Sequence, residues 1–350
     1  MKKNRIAGLL TLAPLLLFAA CTSSTPELSL ESNWLSYTTQ QSVPVTAEGE
    51  AIETLKYDVT FSRYESTLNA PFKIHYSEGT YQTVLSSTTV TVDGKSEQAY
   101  KYRTELNIKV SFSLNADQSE TFSDSVVTET VFLSVAQNLR PIGSTRTVLS
   151  HVPLYMPSNP PKTLTDENGN GVAFGHYNYV LETDYSETNK AKIKMTNLLV
   201  DEEAKEEDSN AGVSEYNVST KGKGSYFDNE QILFLLRGVN LSSSLTFRTI
   251  DPTTRTVDKV KIADGPTAVQ EACKFKMGDT DLDAAIDAYE ISLAYSKSNA
   301  GTSQKCVYAK KVGADGNVYR NALLRYEQPV LYSHGTLVYT LSDASFSALQ

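Results

Sequence analysis

Oxygen ligands suited to a calcium ion are most densely spaced in residues 279–290. Asp279, Asp281, Asp283, Asp287 and Glu290 match positions one, three, five, nine and twelve of an EF-hand loop. Ala284, however, replaces the glycine that the sharp turn of such a loop requires, and residues 289–295 alternate as a strand where a helix should follow. We therefore favour a turn followed by a strand and leave calcium binding open.

A second acidic stretch, residues 166–171, has the D-x-N-x-N-G opening of the same loop. Its twelfth position is Tyr177 rather than the bidentate glutamate that completes a calcium site. Asn-Gly is also a frequent hairpin turn, which is the simpler interpretation. We predict no metal site in this stretch.

The four histidines are scattered along the chain, in or beside predicted strands: His75, His151, His176 and His334. The sequence contains none of the G-x-S-x-G, H-E-x-x-H, P-loop or C-x-x-C motifs that position a nucleophile, a metal or a phosphate. We therefore predict that the protein is not an enzyme and has no catalytic residue, metal site or cofactor.

Two cysteines, Cys273 and Cys306, lie in the carboxyl-terminal part of the chain. Outside the cytoplasm such a pair is more often oxidised than free, which predicts a disulfide bond between them. An unstrained bond closing a loop of this length would stabilise the fold by about 3–4 kcal/mol. The alternative is two buried free thiols.

The first 21 residues have the layout of a secretory signal. Two lysines and an arginine precede an apolar run, residues 6–20, that is too short for a stable membrane span. The run ends in Leu-Phe-Ala-Ala-Cys, which resembles the lipobox of bacterial lipoproteins. The resemblance implies cleavage after Ala20 and attachment of a lipid to the sulfur of Cys21.

This signal predicts an extracytoplasmic protein that is lipid-anchored in the bacterial cell envelope. Phe18 stands where a lipobox usually has leucine, so an ordinary secreted protein is the alternative. We expect three regions: a signal peptide at residues 1–20, a lipid-anchored tether at residues 21–33, and a single antiparallel β-domain at residues 34–350. The proline-rich residues 157–161 are the best place for a subdivision of that domain.

The charge balance argues against nucleic acid as a partner. The chain has 32 Lys and Arg against 41 Asp and Glu, and its formal net charge is −9. The predicted signal contains three of the basic residues and no acidic one, so the rest of the chain is more acidic still. Such a chain repels nucleic acid and has no polybasic surface for anionic lipid, so we expect membrane contact through the lipid on Cys21.

Alternation of apolar and polar residues predicts antiparallel strands through most of the chain. In residues 100–114, tyrosine and aliphatic residues occupy nearly every even position, and a strand of that length must twist into a curved sheet. In residues 121–135 the apolar positions change from even to odd, which predicts a bulge. Further strands are predicted at residues 55–61, 72–76, 147–155, 172–181, 191–200, 245–250, 257–262, 289–295, 306–312, 318–326 and 337–341.

Residues 229–237 are predicted to form a short helix. Asp228 can cap it, Gln231 follows three residues later as in a capping box, and Gly238 supplies the stop. Residues 232–236 are all large and apolar, so the helix must be buried on nearly every side. A buried strand is the alternative for the same apolar run.

Several short motifs resemble an uncharacterised family of bacterial envelope β-domains. They are Tyr-Phe-Asp at residues 226–228 with the apolar helix that follows, Asn-Leu-Arg-Pro at residues 138–141, and the closing hairpin at residues 315–316 with the strand at 335–341. The resemblance spans roughly residues 50–342. It implies a mainly β fold like that of the periplasmic lipoprotein carriers, a large curved antiparallel sheet that forms an open half-barrel with one or a few short helices on the concave face. It implies no catalytic residue.

A curved sheet too large to close leaves an apolar inner face that a helix or a ligand must fill. We therefore expect a protein that binds or carries a hydrophobic ligand, a small molecule or a lipid. The side chains expected to contact it are Leu106, Ile108, Val110, Phe112, Leu233 and Phe234. The alternative is a non-enzymatic structural or protein-interaction lipoprotein, with an envelope protein as partner, in which the helix simply plugs the inner face.

Overall fold

The computed structural model of the protein describes most of the chain beyond residue 50. The described residues are 30, 47, 50–65, 73–114, 118–154, 162–165, 171–200, 205, 211–241, 245–296, 303–314, 317–319, 321–330 and 334–347. The predicted signal, the lipidation site Cys21, the acidic turn at 166–170 and the proline-rich residues 157–161 lie outside them.

Eighteen strands are formed by the described residues. In chain order they are β1 (Glu53–Arg63), β2 (Lys73–Val92), β3 (Lys95–Ser113), β4 (Ser119–Leu133), β5 (Pro141–Leu154), β6 (Lys162–Thr165), β7 (Gly171–Asp184), β8 (Lys190–Asn197), β9 (Val213–Ser219), β10 (Phe227–Asp228), β11 (Thr246–Asp251), β12 (Thr256–Met277), β13 (Thr280–Tyr295), β14 (Gln304–Ala309), β15 (Val312–Ala314), β16 (Asn317–Tyr319), β17 (Leu323–Pro329) and β18 (Gly335–Phe346). The helix α1 (Ile232–Leu235) lies between two 3₁₀ turns, Asn229–Gln231 and Leu236–Gly238. We call residues 229–238 together the inner helix.

The fold is mainly β, as predicted, and sixteen strands belong to one sheet. Their order is β10, β11, β12, β13, β14, β17, β18, β1, β2, β3, β4, β5, β7, β8, β9, with β6 beside β7. Neighbouring strands are antiparallel except in two short parallel pairs, β10–β11 and β12–β18. β15 and β16 form a separate hairpin, at the position where the sequence predicted one.

Strand β3 shows why the sheet has one strongly apolar face. Its even positions from 100 to 112 are buried except for the half-buried Leu106, whereas its odd positions from 101 to 111 are half-buried or exposed. Successive side chains of a strand point to opposite faces, so this pattern places all the even residues on one side of the sheet. We call that side the inner face, because the inner helix packs on it.

The carboxyl-terminal strands close on themselves. In β12 the register with β13 shifts next to Gly265, whose φ is +75°. Beyond this shift β12 continues until Met277 pairs with Ala344 of β18. Strands β12, β13, β14, β17 and β18 therefore form a closed ring of hydrogen-bonded neighbours.

Side chains also join the two ends of the strand order. Arg255, in the turn between β11 and β12, lies 3.4 Å from the ring centroid of Tyr216 in β9. Ile250 of β11 shares a hydrophobic cluster with Leu181 of β7 and Ile193 of β8. The sheet is therefore strongly curved, as its long strands predicted.

One large hydrophobic core joins the inner helix to strands from both halves of the chain. Leu30, within the predicted tether, packs against this core and forms a bridge with Val239 just after the inner helix. Strands β5 and β7, which flank residues 157–161, pair directly with each other. A subdivision of the domain at those residues stays a prediction.

Candidate functional site

The inner helix begins where the sequence predicted it. The backbone N–H of Glu230 donates to the Asp228 side chain (2.8 Å), and the backbone N–H of Asp228 donates to Oε1 of Gln231 (3.2 Å), which completes the capping box. Nε2 of Gln231 in turn donates to the backbone oxygen of Leu139 (2.9 Å), in the corner that precedes β5. Of residues 232–236 only Leu233 keeps partial exposure. The predicted helix and its burial on nearly every side are confirmed.

Phe234 lies at the centre of the contact between the inner helix and the sheet. Its ring centroid is 5.0 Å from that of Phe132, 5.2 Å from that of Tyr102 and 6.0 Å from that of Tyr100. The residue is only 1% exposed. Aromatic pairs at such distances contribute about 0.5–1.5 kcal/mol each beyond their burial. Protein side chains therefore fill the inner face around Phe234.

Polar contacts hold the carboxyl-terminal half of the inner helix. The Tyr308 hydroxyl donates to the backbone oxygen of Leu233 (2.9 Å), and Nδ2 of Asn321 donates to the backbone oxygen of Arg237 (2.8 Å). The Arg237 guanidinium forms an ion pair with Glu53 of β1, and the two side chains are 3% and 2% exposed. Loss of either partner would leave a buried charge without its counter-ion, so this pair ties the helix to β1.

Asp228 is the centre of a second buried polar group. Besides the cap, its carboxylate accepts hydrogen bonds from the hydroxyls of Ser144 (2.6 Å) and Tyr185. Burial raises the pKa of Asp228 to about 6, the Glu230 carboxylate raises it further, and the hydrogen bonds oppose the shift. Glu230 is paired with Arg146 of β5, and its charge raises the pKa of that guanidinium above the usual value.

Three consecutive cross-strand rows of the inner face lead away from the helix. The first is Leu85, Tyr102, Thr130 and Ser144, the second is Thr83, Thr104, Thr128 and Arg146, and the third is Tyr81, Leu106, Val126 and Val148. We call the third the apolar row. Only Val148 in it is buried, whereas the other three are half-buried. The apolar row thus offers accessible hydrophobic surface that the inner helix does not cover.

Tyr81 of the apolar row is also part of a chain of tyrosine rings. Its centroid is 5.6 Å from that of Tyr57 and 5.2 Å from that of Tyr339, which is in turn 5.1 Å from that of Tyr326. Burial raises the pKa of the Tyr81 phenol, and the Glu230 carboxylate adds to the shift. Tyr81 therefore stays protonated at neutral pH and can serve as a hydrogen-bond donor beside the apolar row.

The six residues predicted to contact a ligand divide between two clusters. Leu106, Ile108, Leu233 and Phe234 belong to the main core, whereas Val110 and Phe112 pack with Ile74 in a smaller cluster. Four of the six are buried, and only Leu106 and Leu233 are half-buried. In this conformation only those two of the predicted set offer surface to a ligand. Tyr81 and Val126, which the sequence reasoning did not select, share a row with Leu106.

The predicted disulfide bond is not formed, because Cys273 and Cys306 are buried free thiols. Cys273 pairs with Ala284 and Cys306 with Ile291 on the intervening strand β13. These two positions lie about 23 Å apart along β13, far beyond the reach of about 7 Å between Cα atoms that a disulfide allows. Burial raises the pKa of Cys273 to about 11 and also raises the pKa of Cys306, so neither thiol is activated.

The acidic residues 279–290 form a turn and a strand rather than an EF-hand loop. β12 and β13 meet at the pair Met277–Thr280, and β13 is extended from there to Tyr295. Asp283 forms an exposed ion pair with Lys274 of β12 (3.6 Å). Within the described ranges, no group of three or more His, Cys, Asp or Glu side chains is placed to hold a metal ion.

An aspartate–histidine pair lies on the side of the apolar row away from the inner helix. Oδ1 of Asp124 is 2.6 Å from Nδ1 of His151, and Oδ2 accepts from the backbone N–H of His151 (2.9 Å) and from the Ser150 hydroxyl (3.3 Å). Burial raises the pKa of the Asp124 carboxyl, and the hydrogen bonds from His151 oppose the shift. The sequence reasoning missed this pair because 27 residues separate its members. A register for the two predicted strands around residues 147–155 and 172–181 would have been the signal.

A groove of about 740 Å³ lies on the outer face of β4, β5, β7, β8 and β9. Charged residues such as Glu129, Glu182 and Lys194 line it. They are already paired: Nζ of Lys194 is 3.0 Å from Glu182, and that of Lys101 is 2.8 Å from Glu129. The groove therefore has no unbalanced charge that would select a charged ligand.

Comparison with known proteins gives one match. No family model matches the sequence, and no curated protein matches it. Among solved structures, the chain is similar to a beta-barrel-like protein of a domain of unknown function, DUF1849, from Brucella abortus. The two are 12% identical, the match covers 85% of this chain and 98% of that chain, and the TM-score is 0.45.

The arrangement of the inner face suits binding. A half-buried apolar row is bordered on one side by the hydroxyls of Thr104 and Thr128 and the Arg146 guanidinium, and on the other by the Asp124–His151 pair. An apolar surface with a few polar groups around it is the usual composition of a ligand site. No described helix is long and apolar enough to cross a membrane.

Proposed function

We propose that this protein is a lipid-anchored binding protein of the bacterial cell envelope, which takes up a hydrophobic ligand on the apolar row of its inner face. The ligand is a small apolar molecule or a lipid with a polar end. The apolar surface contacts its hydrocarbon part, and the Thr104, Thr128 and Arg146 row receives its polar end. The role is binding rather than catalysis.

The partial exposure of the apolar row supports this proposal most directly. Tyr81, Leu106 and Val126 are neighbours across three strands and face the inner side, yet the inner helix leaves all three half-buried. A side chain that is half-exposed on a curved inner face gains about 25 cal/mol for each Å² of apolar surface that a ligand removes from water.

The envelope location is supported by the first 21 residues. Their basic start, apolar run and final Ala-Ala-Cys match the layout of a lipoprotein signal. Stable anchoring takes at least two lipid chains or signals, and the resemblance to bacterial lipoproteins implies two or three chains on Cys21. The described domain then faces the extracytoplasmic side.

The experiment that tests the binding role measures the affinity of the full-length protein for N-phenyl-1-naphthylamine, a neutral apolar probe whose fluorescence rises in hydrophobic surroundings. We expect Leu106→Ala to weaken binding by about tenfold, the equivalent of losing roughly two buried CH₂ groups. Leu199→Ala is the matched control, because Leu199 is 46% exposed in the turn after β8. Equal affinity of the two variants and the wild type would overturn the proposed site.

A second candidate function is supported by the tight packing of Phe234. If the inner helix is a permanent plug, the protein is a structural or protein-interaction lipoprotein with an envelope protein as its partner. This candidate predicts no probe binding by the wild type and no lipid in an organic extract of the purified protein. Mass spectrometry of that extract distinguishes the two functions, since a carrier purified from its own envelope should retain a stoichiometric ligand.

A further inference from the structure

Two histidines face each other across neighbouring strands at the far end of the inner face. His151 of β5 pairs directly with His176 of β7 in the register of the sheet. Their ring centroids are 5.4 Å apart, with 26° between the ring planes. Two imidazoles that bind one tetrahedral zinc ion through nitrogens at 2.0–2.1 Å have centroids about 5 Å apart. The spacing of this pair is therefore already that of two ligands on one metal ion.

The His151 ring is fixed in a way that suits a metal ligand. Asp124 accepts the Nδ1 proton of His151 at 2.6 Å, so Nε2 carries the lone pair. Phe122 stacks on the opposite side of the His151 ring, with 4.2 Å between centroids and 11° between planes. Histidines that bind metals almost always donate their second ring N–H to a carboxylate or carbonyl in this manner.

His176 differs from His151 in freedom and access. It is exposed, whereas the side chain of His151 is 14% exposed. An exposed imidazole can turn about its side-chain bonds to direct a nitrogen toward an ion held by its neighbour. The pair thus combines one fixed ligand with one adjustable ligand at the surface of the protein.

We infer that His151 and His176 form a binding site for a divalent transition-metal ion, with Asp124 as the positioning residue that orients His151. Imidazole is a preferred ligand of copper, zinc and nickel, and affinity rises toward Cu²⁺ along the first transition row. Two protein ligands leave the remaining positions of the ion to water. This inference concerns a different set of side chains from the apolar row and does not depend on the proposed hydrophobic ligand.

The test is isothermal titration of full-length protein, purified without a histidine tag, with CuCl₂ and ZnCl₂. The wild type should bind one ion, with Cu²⁺ tighter than Zn²⁺. His176→Ala should weaken binding at least tenfold without affecting folding, because His176 is exposed. Asp124→Asn should weaken it by about 10–100-fold, the usual effect of a lost carboxylate partner. His75→Ala, which removes an exposed imidazole from β2, is the control and should bind as the wild type does.

Electron paramagnetic resonance of the Cu²⁺ form provides a readout of the ligands themselves. The wild type should show hyperfine coupling to two imidazole nitrogens, and His176→Ala should show coupling to one. Absence of binding by the wild type overturns the inference. So does equal affinity of the wild type, His176→Ala and His75→Ala, which would mark the copper as adventitious.

Discussion

Replacement of Phe234 by alanine measures whether the inner helix is a fixed plug. Phe→Ala substitutions in close-packed cores cost about 3–5 kcal/mol of unfolding free energy. Phe234 is 1% exposed and has three aromatic neighbours within 6.0 Å, so the sheet cannot move in to fill the space without moving those rings as well. We therefore expect a loss in the upper part of this range, about 4–5 kcal/mol.

The assay is urea unfolding of the full-length protein, followed by circular dichroism. Phe234→Leu is the matched control, since it keeps an apolar side chain in the same place and should cost about 1–1.5 kcal/mol. Leu233→Ala, in the adjacent and half-buried position, should cost less than Phe234→Ala. The order of the three variants tests the packing even if the absolute values shift.

A loss below about 1.5 kcal/mol for Phe234→Ala would refute the close packing that we describe around this ring. If binding of the apolar probe also rose in that variant, the space beneath the helix would be a ligand cavity and the binding site would extend under the helix. A large loss with unchanged probe binding keeps the ligand on the apolar row, outside the plug.

Three further predictions concern the anchor and the two buried carboxylates. Cys21→Ala should leave the protein unlipidated and in the soluble fraction; an unchanged membrane fraction and gel mobility would contradict the lipoprotein assignment. Because burial raises the pKa of Asp228 to about 6, the folded state binds its proton more tightly than the unfolded state does. Its contribution to stability is therefore full below about pH 4 and is lost as the pH rises through 6, a change of up to about 3 kcal/mol that Asp228→Asn should remove from the pH profile. Glu53→Gln should cost about 3–5 kcal/mol because it leaves the Arg237 charge buried alone, and the double variant Glu53→Gln, Arg237→Met should recover part of that loss in chemical unfolding.

Features determined by neighbouring residues could be predicted from the sequence. The capping box of the inner helix needs only Asp228 and Gln231, and both of its hydrogen bonds are present. The long strand β3 follows from a period of two over many residues, and its even side chains face inward as expected. Local hydrogen bonding and simple alternation are sufficient in both cases.

The predicted change of face in β4 is wrong for a physical reason. Val127 and Val131 were expected to face inward, but Thr128 and Thr130 do so, and both are buried. The Thr128 hydroxyl meets that of Thr104 on β3 at 2.6 Å, which satisfies both groups inside the sheet. The pairing of β4 with β3 has no bulge, and the irregularity of β4 lies on its other side, next to β5 between Val131 and Phe132.

Features that depend on distant residues were beyond the sequence. β12 was expected to end at Ile262 but continues past Gly265, because its later residues pair with β13 and then with β18. The separation of Cys273 from Cys306 follows from the same register, which no spacing along the chain reveals. The two residues that expose surface for a ligand, Leu106 and Leu233, differ from their buried neighbours only through what covers them.

The place of β1 in the strand order has a consequence for how the chain folds. One edge of β1 bonds to β2, which follows at once, but the other bonds to β18, and the Tyr57 hydroxyl reaches the backbone oxygen of Leu323, 266 residues away. Contacts at such separation slow folding, because the entropy of closing the loop is lost before the contact forms. A chain synthesised from its amino end therefore carries β1 with one unpaired edge until residues 335–346 have been made, and that edge is open to pairing with other chains throughout this interval.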